Sequence, residues 1–123
     1  MLMLDESGNI GLMVSSVDID IKPGSDPKAI NLRSKGNIPV AILSSDTFDA
    51  ITIDPSTVEL EGARVRGLLC HDEDVNSDGL LDLVCQVEIQ ELGIGAGAIV
   101  AVLTAQTFDG VLVTGSDSVK IVH

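Results

Sequence analysis

Leu81-Asp82-Leu83-Val84-Cys85-Gln86-Val87-Glu88-Ile89 alternates along most of its length. Leu81, Leu83, Cys85, Val87 and Ile89 fall on one face, with Asp82, Gln86 and Glu88 on the other. Successive side chains of an extended chain point to opposite sides, so this stretch reads as a strand with one face on a core. Upstream, Val17, Ile19 and Ile21 alternate in the same way with Asp18, Asp20 and Lys22, until Pro23-Gly24-Ser25-Asp26-Pro27 breaks the pattern. Residues 29–33 form a second short run, ended by Ser34-Lys35-Gly36. Residues 38–43 are apolar on both faces and read as a central strand, although Pro39 lacks an N–H and points to an edge or a bulge. Residues 57–61, 63–69, 98–103, 111–113 and 118–122 are further strand candidates. No segment carries a helical period; residues 89–92 form one helical turn at most. About seven to nine short strands with turn signals between them predict an all-β fold, an immunoglobulin-like β-sandwich. The Cys…Trp…Cys signature of antibody domains is absent, so the expectation concerns architecture alone.

Residues 38–53 align without gaps on residues 98–113. Val40/Val100, Ala41/Ala101, Leu43/Leu103, Thr47/Thr107, Phe48/Phe108 and Asp49/Asp109 are identical pairs. The match predicts an internal strand–turn–strand repeat. In each unit the Phe would plug one end of the core, and the Asp would cap the turn through its own backbone.

The chain carries 19 acids against 7 bases, a formal charge of −12. Nucleic acid binding needs clustered Lys and Arg, and an anionic membrane surface would repel this charge. With no Trp, no Tyr and 2 Phe, stacking platforms for sugars or single strands are short of raw material. No apolar run is long enough for a membrane span. The first ten residues contain Asp5 and Glu6 and no base, so they do not read as a signal peptide. The length suits one domain over residues 17–123, preceded by an extension or extra hairpin over 1–16. Leu2, Met3, Leu4, Ile10, Leu12, Met13 and Val14 flank a polar Asp5-Glu6-Ser7-Gly8-Asn9, which fits two short strands around a turn. Such strands either cover their own sheet or add to a second copy, giving a homodimer by strand addition.

The main chemical signal is Asp74-Val75-Asn76-Ser77-Asp78-Gly79-Leu80-Leu81-Asp82. Oxygen side chains occupy its first, third, fifth and ninth positions, and Gly the sixth. Ca²⁺ is a hard cation that takes several oxygen ligands in flexible geometry. Asp74, Asn76 and Asp78 would give side-chain oxygens, Leu80 its carbonyl, and Asp82 a direct or water-mediated contact. Cys85 stands where an EF-hand carries a bidentate Glu, and a strand comes next in place of a helix. Remaining ligands would be water, Asp72 or Glu73. An ion-free acidic turn would share this composition, but its carboxylates would repel one another. Mg²⁺ fits less well, since it demands stricter geometry.

Cys70 and Cys85 flank the loop almost symmetrically. A hairpin would bring them together for a disulfide, and two buried thiols are the alternative. Catalytic patterns are weak. Cys70 and His71 are neighbours, which point to opposite faces of a strand. No nucleophile elbow or phosphate loop occurs, so the reading is non-enzymatic.

Val17-Asp-Ile-Asp-Ile-Lys-Pro-Gly-Ser-Asp-Pro27, Ile38-Pro-Val-Ala-Ile-Leu43, Glu73-Asp-Val-Asn-Ser-Asp-Gly79, Thr107-Phe-Asp-Gly110 and Gly115-Ser-Asp-Ser-Val119 together resemble a module of many bacterial and archaeal proteins whose sequences predict secretion. The resemblance spans residues 17–122. It implies an extracytoplasmic β-sandwich, often appended to larger proteins, with a calcium-type loop at 74–82. Ser77 departs from it, since Gly is usual there. The expected function is a calcium-binding structural or interaction module; a calcium-dependent ligand- or carbohydrate-binding module is the alternative, and a small hydrolase a distant third.

Overall fold

The computed structural model describes residues 2–4, 10–12, 14–25, 28–64 and 69–122. Its strands are β1 (Leu2–Leu4), β2 (Ile10–Leu12), β3 (Val14–Ser16), β4 (Ile19–Ile21), β5 (Ala29–Asn31), β6 (Asn37–Ile42), β7 (Glu59–Leu60), β8 (Ala63–Arg64), β9 (Cys70–Glu73), β10 (Asp82–Glu88), β11 (Val100–Gln106), β12 (Leu112–Ser118) and β13 (Lys120–Val122). The chain is an all-β sandwich. One sheet has the order β4-β6-β10-β9 and the other β3-β12-β11-β7-β8, while β13 pairs with β5 and β1 with β2. Among the described residues the strands exceed the expected seven to nine: β1 and β2 belong to the N-terminal segment, β3 spans only three residues, and β9, Cys-His-Asp-Glu, carries no apolar alternation. Residues 89–91 make a single 3₁₀ turn.

The alternating runs bury the expected side. Ile19, Ile21, Val40, Ile42, Leu83, Cys85 and Val87 face one core with Ala101, Leu103, Ala105 and Val113 of the other sheet. The crossover into β4 passes close against β12 at Gly115. A Cβ on Gly115 would lie 2.7 Å from the Val17 carbonyl oxygen, so no larger residue fits there without a backbone shift. Nearby, Asp117 Oδ2 accepts from the Ile21 N–H at 2.9 Å. The Lys28 ammonium contacts both Asp20 and Asp117. Burial pulls that ammonium down, but the two carboxylates outweigh it and hold it above its ordinary value.

Pro39 is not at an edge. β6 runs between β4 and β10, with Pro39 opposite Gln86. The Pro39 carbonyl accepts from Lys22 N–H at 2.8 Å, which places its polar backbone on the β4 side and leaves the β10 ladder intact. β4 has ended there: Lys22 takes φ 51°, and its own carbonyl accepts from Ser25. The missing donor therefore has no acceptor waiting for it.

The N-terminal segment forms the two short strands expected, with Leu2 opposite Leu12 and Leu4 opposite Ile10. The next strand pairs within the chain, as β3 runs parallel to β12 with Val14 opposite Leu112.

The two aligned units differ. Residues 98–113 form a hairpin within one sheet, β11 against β12. Residues 38–53 leave β6, turn at 45–48 and enter a 3₁₀ turn at Ala50–Thr52, capped by the Asp49 carboxylate on Ile51 N–H. Phe48 packs against the core, but Phe108 is 70% exposed. The expectation that both Phe side chains plug the core is therefore corrected: a hairpin within one sheet projects its turn into solvent, whereas a connection that changes sheets folds its turn over the core end.

Candidate metal centre

Residues 74–81 link β9 to β10, whose register puts Asp82 opposite Glu73 and Cys85 opposite Cys70. The two cysteines are joined in a disulfide with their Cα atoms 4.0 Å apart. The link settles the alternative that the sequence left open, and it ties the loop's flanking strands. Closing a loop of this length removes roughly 3 kcal/mol of unfolded-chain entropy in the chain-entropy treatment.

Inside the loop the carboxylates first organise the backbone. Asp74 Oδ2 accepts from Gly79 N–H at 2.9 Å, and Asp78 Oδ1 accepts from Leu80 N–H at 2.9 Å. The Gly79 N–H, aided by those of Asp78, Asn76 and Ser77, outweighs partial burial and holds the Asp74 carboxyl below its ordinary value. Gly79 sits at φ 87° and Ser77 at φ 59°. Both are left-handed, which explains why Gly suits position 77 and why Ser there carries a modest conformational cost.

The loop gathers Asp74, Asp78 and Asp82, each offering a carboxylate oxygen within 4.8 Å of the others. The terminal amide atoms of Asn76 reach the same point. One of them lies 3.1 Å from Asp74 Oδ1 and 3.0 Å from Asp78 Oδ1. Presented as oxygen, it completes a set of hard donors around a shared centre. Presented as NH₂, it donates to both carboxylates. Leu80 enters through its N–H to Asp78. Of the two acids nearest in sequence, Glu73 turns instead to the exposed His71, 3.1 Å away.

Asp82 corrects the sequence reading. Alternation assigns it to the solvent face of its strand, yet it is fully buried. Its Oδ1 accepts from Ser44 N–H at 2.8 Å and its Oδ2 from Val75 N–H at 3.1 Å. Ser44 Oγ donates to the Leu81 carbonyl at 2.6 Å and accepts from Ala50 N–H at 2.8 Å. One carboxylate therefore anchors both the 74–82 loop and the 44–50 turn. A lone pair remains on each oxygen for a cation. Sequence reasoning missed Ser44, because nothing near it marks a partner in a distant loop.

A cavity of about 410 Å³ opens beside Asn76 and Asp78, with Asp18, Ser45 and Asp46 on its far side. Among the described residues no helix is long and apolar enough to cross a membrane. Compared with known proteins, the chain matches no family model, and no curated protein or solved structure is significantly similar to it.

Proposed function

We propose that this chain is a non-catalytic, calcium-stabilised β-sandwich module, serving as a structural or interaction domain of an extracytoplasmic protein. The observation that carries the reading is the convergence of Asp74, Asn76, Asp78 and Asp82 on one point at the mouth of a hairpin. Hard oxygen donors of mixed charge and amide type suit Ca²⁺, which tolerates irregular geometry, better than Mg²⁺. The Leu80 carbonyl and water would complete the shell. Cys70 is tied up in a disulfide and unavailable as a nucleophile, which favours a non-catalytic role. The same link suits an oxidising compartment.

Calcium would pin the loop between strands the disulfide already joins. Binding the folded state alone adds roughly 2.7 kcal/mol at a hundredfold excess over Kd. The test is a melting curve on chelator-treated protein with and without calcium. Calcium should raise the melting temperature, magnesium should do less, and Asp78→Ala should erase the difference. The side-chain NH₂ signals of Asn76 should move as the amide turns. Identical curves with and without calcium in metal-free protein would sink the proposal.

A further inference from the structure

Charge is unevenly distributed over the ends of the sandwich. β6 leaves its sheet at Ile42, opposite Leu83, so the 43–58 connection and the 74–81 loop share an end. The bridge of Ile53 to Thr107 brings the 107–111 turn to the same end. No Lys or Arg occurs in any of these three connections, while they hold Asp46, Asp49, Asp54, Asp74, Asp78 and Asp109. Lys22, Lys28, Arg33 and Lys35 lie in the connections at the opposite end, where Ile89 N–H bonds the Gly36 carbonyl and Lys120 N–H the Lys28 carbonyl.

Within the acidic end there is an apolar groove of about 430 Å³. Phe48 and Ile51 form one wall, Leu80 and Leu81 the other, and Ser44 lies between them. Leu81 is 52% exposed, although it belongs to the alternating apolar set of its strand. Asp49 stands on the rim, and the adjoining cavity adds Asp46 and Asp78. The walls belong to the two segments that Asp82 anchors, so the groove's width is set by the same carboxylate that serves the metal loop.

We propose that this groove docks an extended peptide segment that inserts one large aliphatic side chain and carries Lys or Arg on either side of it. The inference rests on the interaction-module reading above and names its partner's chemistry. The walls are apolar, which disfavours a purely ionic ligand. The rim is anionic with no base on the three connections, so flanking cations are attracted and flanking acids repelled. In an extended peptide neighbouring side chains point to opposite sides. A central aliphatic group therefore enters the groove, the cations two positions away lie on the same side and reach the rim carboxylates, and the immediate neighbours face solvent.

The probe is the blocked peptide acetyl-Arg-Lys-Leu-Lys-Arg-amide, titrated into the full chain with calcium and followed by amide shifts in NMR. A second peptide replaces Leu with Ser at unchanged charge. The Leu peptide should bind roughly tenfold tighter, the worth of one buried aliphatic side chain. Its shifts should concentrate on residues 44–51 and 79–81. Ile51→Ser with Leu81→Ser, which leaves the protein's charge unchanged, should remove the preference for Leu. Asp46→Asn with Asp49→Asn should weaken both peptides. Equal binding of the two peptides, shifts spread over the acids at 59, 72 and 109, or no binding would overturn the groove. Melting curves of the same samples score calcium separately. A groove that ignores the Leu peptide in calcium-responsive protein fails alone, and a groove that selects Leu in calcium-indifferent protein stands while the metal reading falls.

Discussion

Residues 38–53 and 98–113 align without gaps, and although Ala41 and Ala101 are both buried, as are Ile53 and Val113, the larger side chains of their first strands meet the core in opposite phase. Val40 and Ile42 are buried, while their counterparts Val100 and Val102 are exposed. Leu103 is fully buried, while its counterpart Leu43 lies half-buried at the end of β6. Ser44 is buried in a polar network, and its counterpart Thr104 faces solvent. A strand that is apolar on both faces fits a core from either side, so composition cannot choose the phase. The connection at the end of each strand makes the choice. The first unit must cross between sheets, and Asp82 captures Ser44 to hold that crossing. The second unit has no buried acid to meet and simply folds back as a hairpin.

If Asp82 makes this difference, its removal should be the costliest single change. Asp82→Ala strands the Ser44 and Val75 N–H groups and should cost about 3 kcal/mol, or roughly 10 °C in melting temperature. A loss below about 1 kcal/mol would mean that the first unit is held by packing alone. The paired phenylalanines give the next contrast. Phe48→Ala should cost about 2 kcal/mol and Phe108→Ala less than about 0.5 in chemical denaturation. Equal losses would erase the distinction between the two turns. Ser44→Ala should cost about 1–2 kcal/mol, since the Ala50 N–H loses its acceptor, whereas Thr104→Ala should stay within about 0.5. The smallest effect is the most selective. Calcium should slow hydrogen exchange at the Ala50 and Val75 amides through Asp82, and leave the 107–111 turn unchanged. Uniform slowing of both turns would show that calcium acts on the whole fold and not through that carboxylate.

These contrasts mark what the sequence could convey. Period-two runs at 17–22 and 81–89 located β4 and β10 because their alternate apolar residues meet the core while Asp20, Gln86 and Glu88 between them are only partly buried. The loop ligands Asp74, Asn76 and Asp78 were legible because they lie within one turn, where spacing alone brings side chains together. Pro39 misled, since its tolerance depends on where β4 ends, and that is fixed by the left-handed Lys22. Asp82 was half-legible. Its place at the end of the loop was plain, but its burial required knowing that Ser44 would offer an N–H from across the sheet. The phase of 98–113 was hidden for the same reason: it depends on partners distant in sequence, which local patterns do not record.

The disulfide has a consequence beyond stiffness. Cys70 and Cys85 enclose every residue of the 74–82 loop in a covalent ring. A protease that cuts the exposed backbone at Asn76 or Ser77 would open the ring without parting the molecule. The two pieces would travel as one on a gel until a reductant released them, with β9 left on the first fragment and β10 on the second. Damage to this exposed turn would thus be retained in place, as a broken link still fastened at both ends.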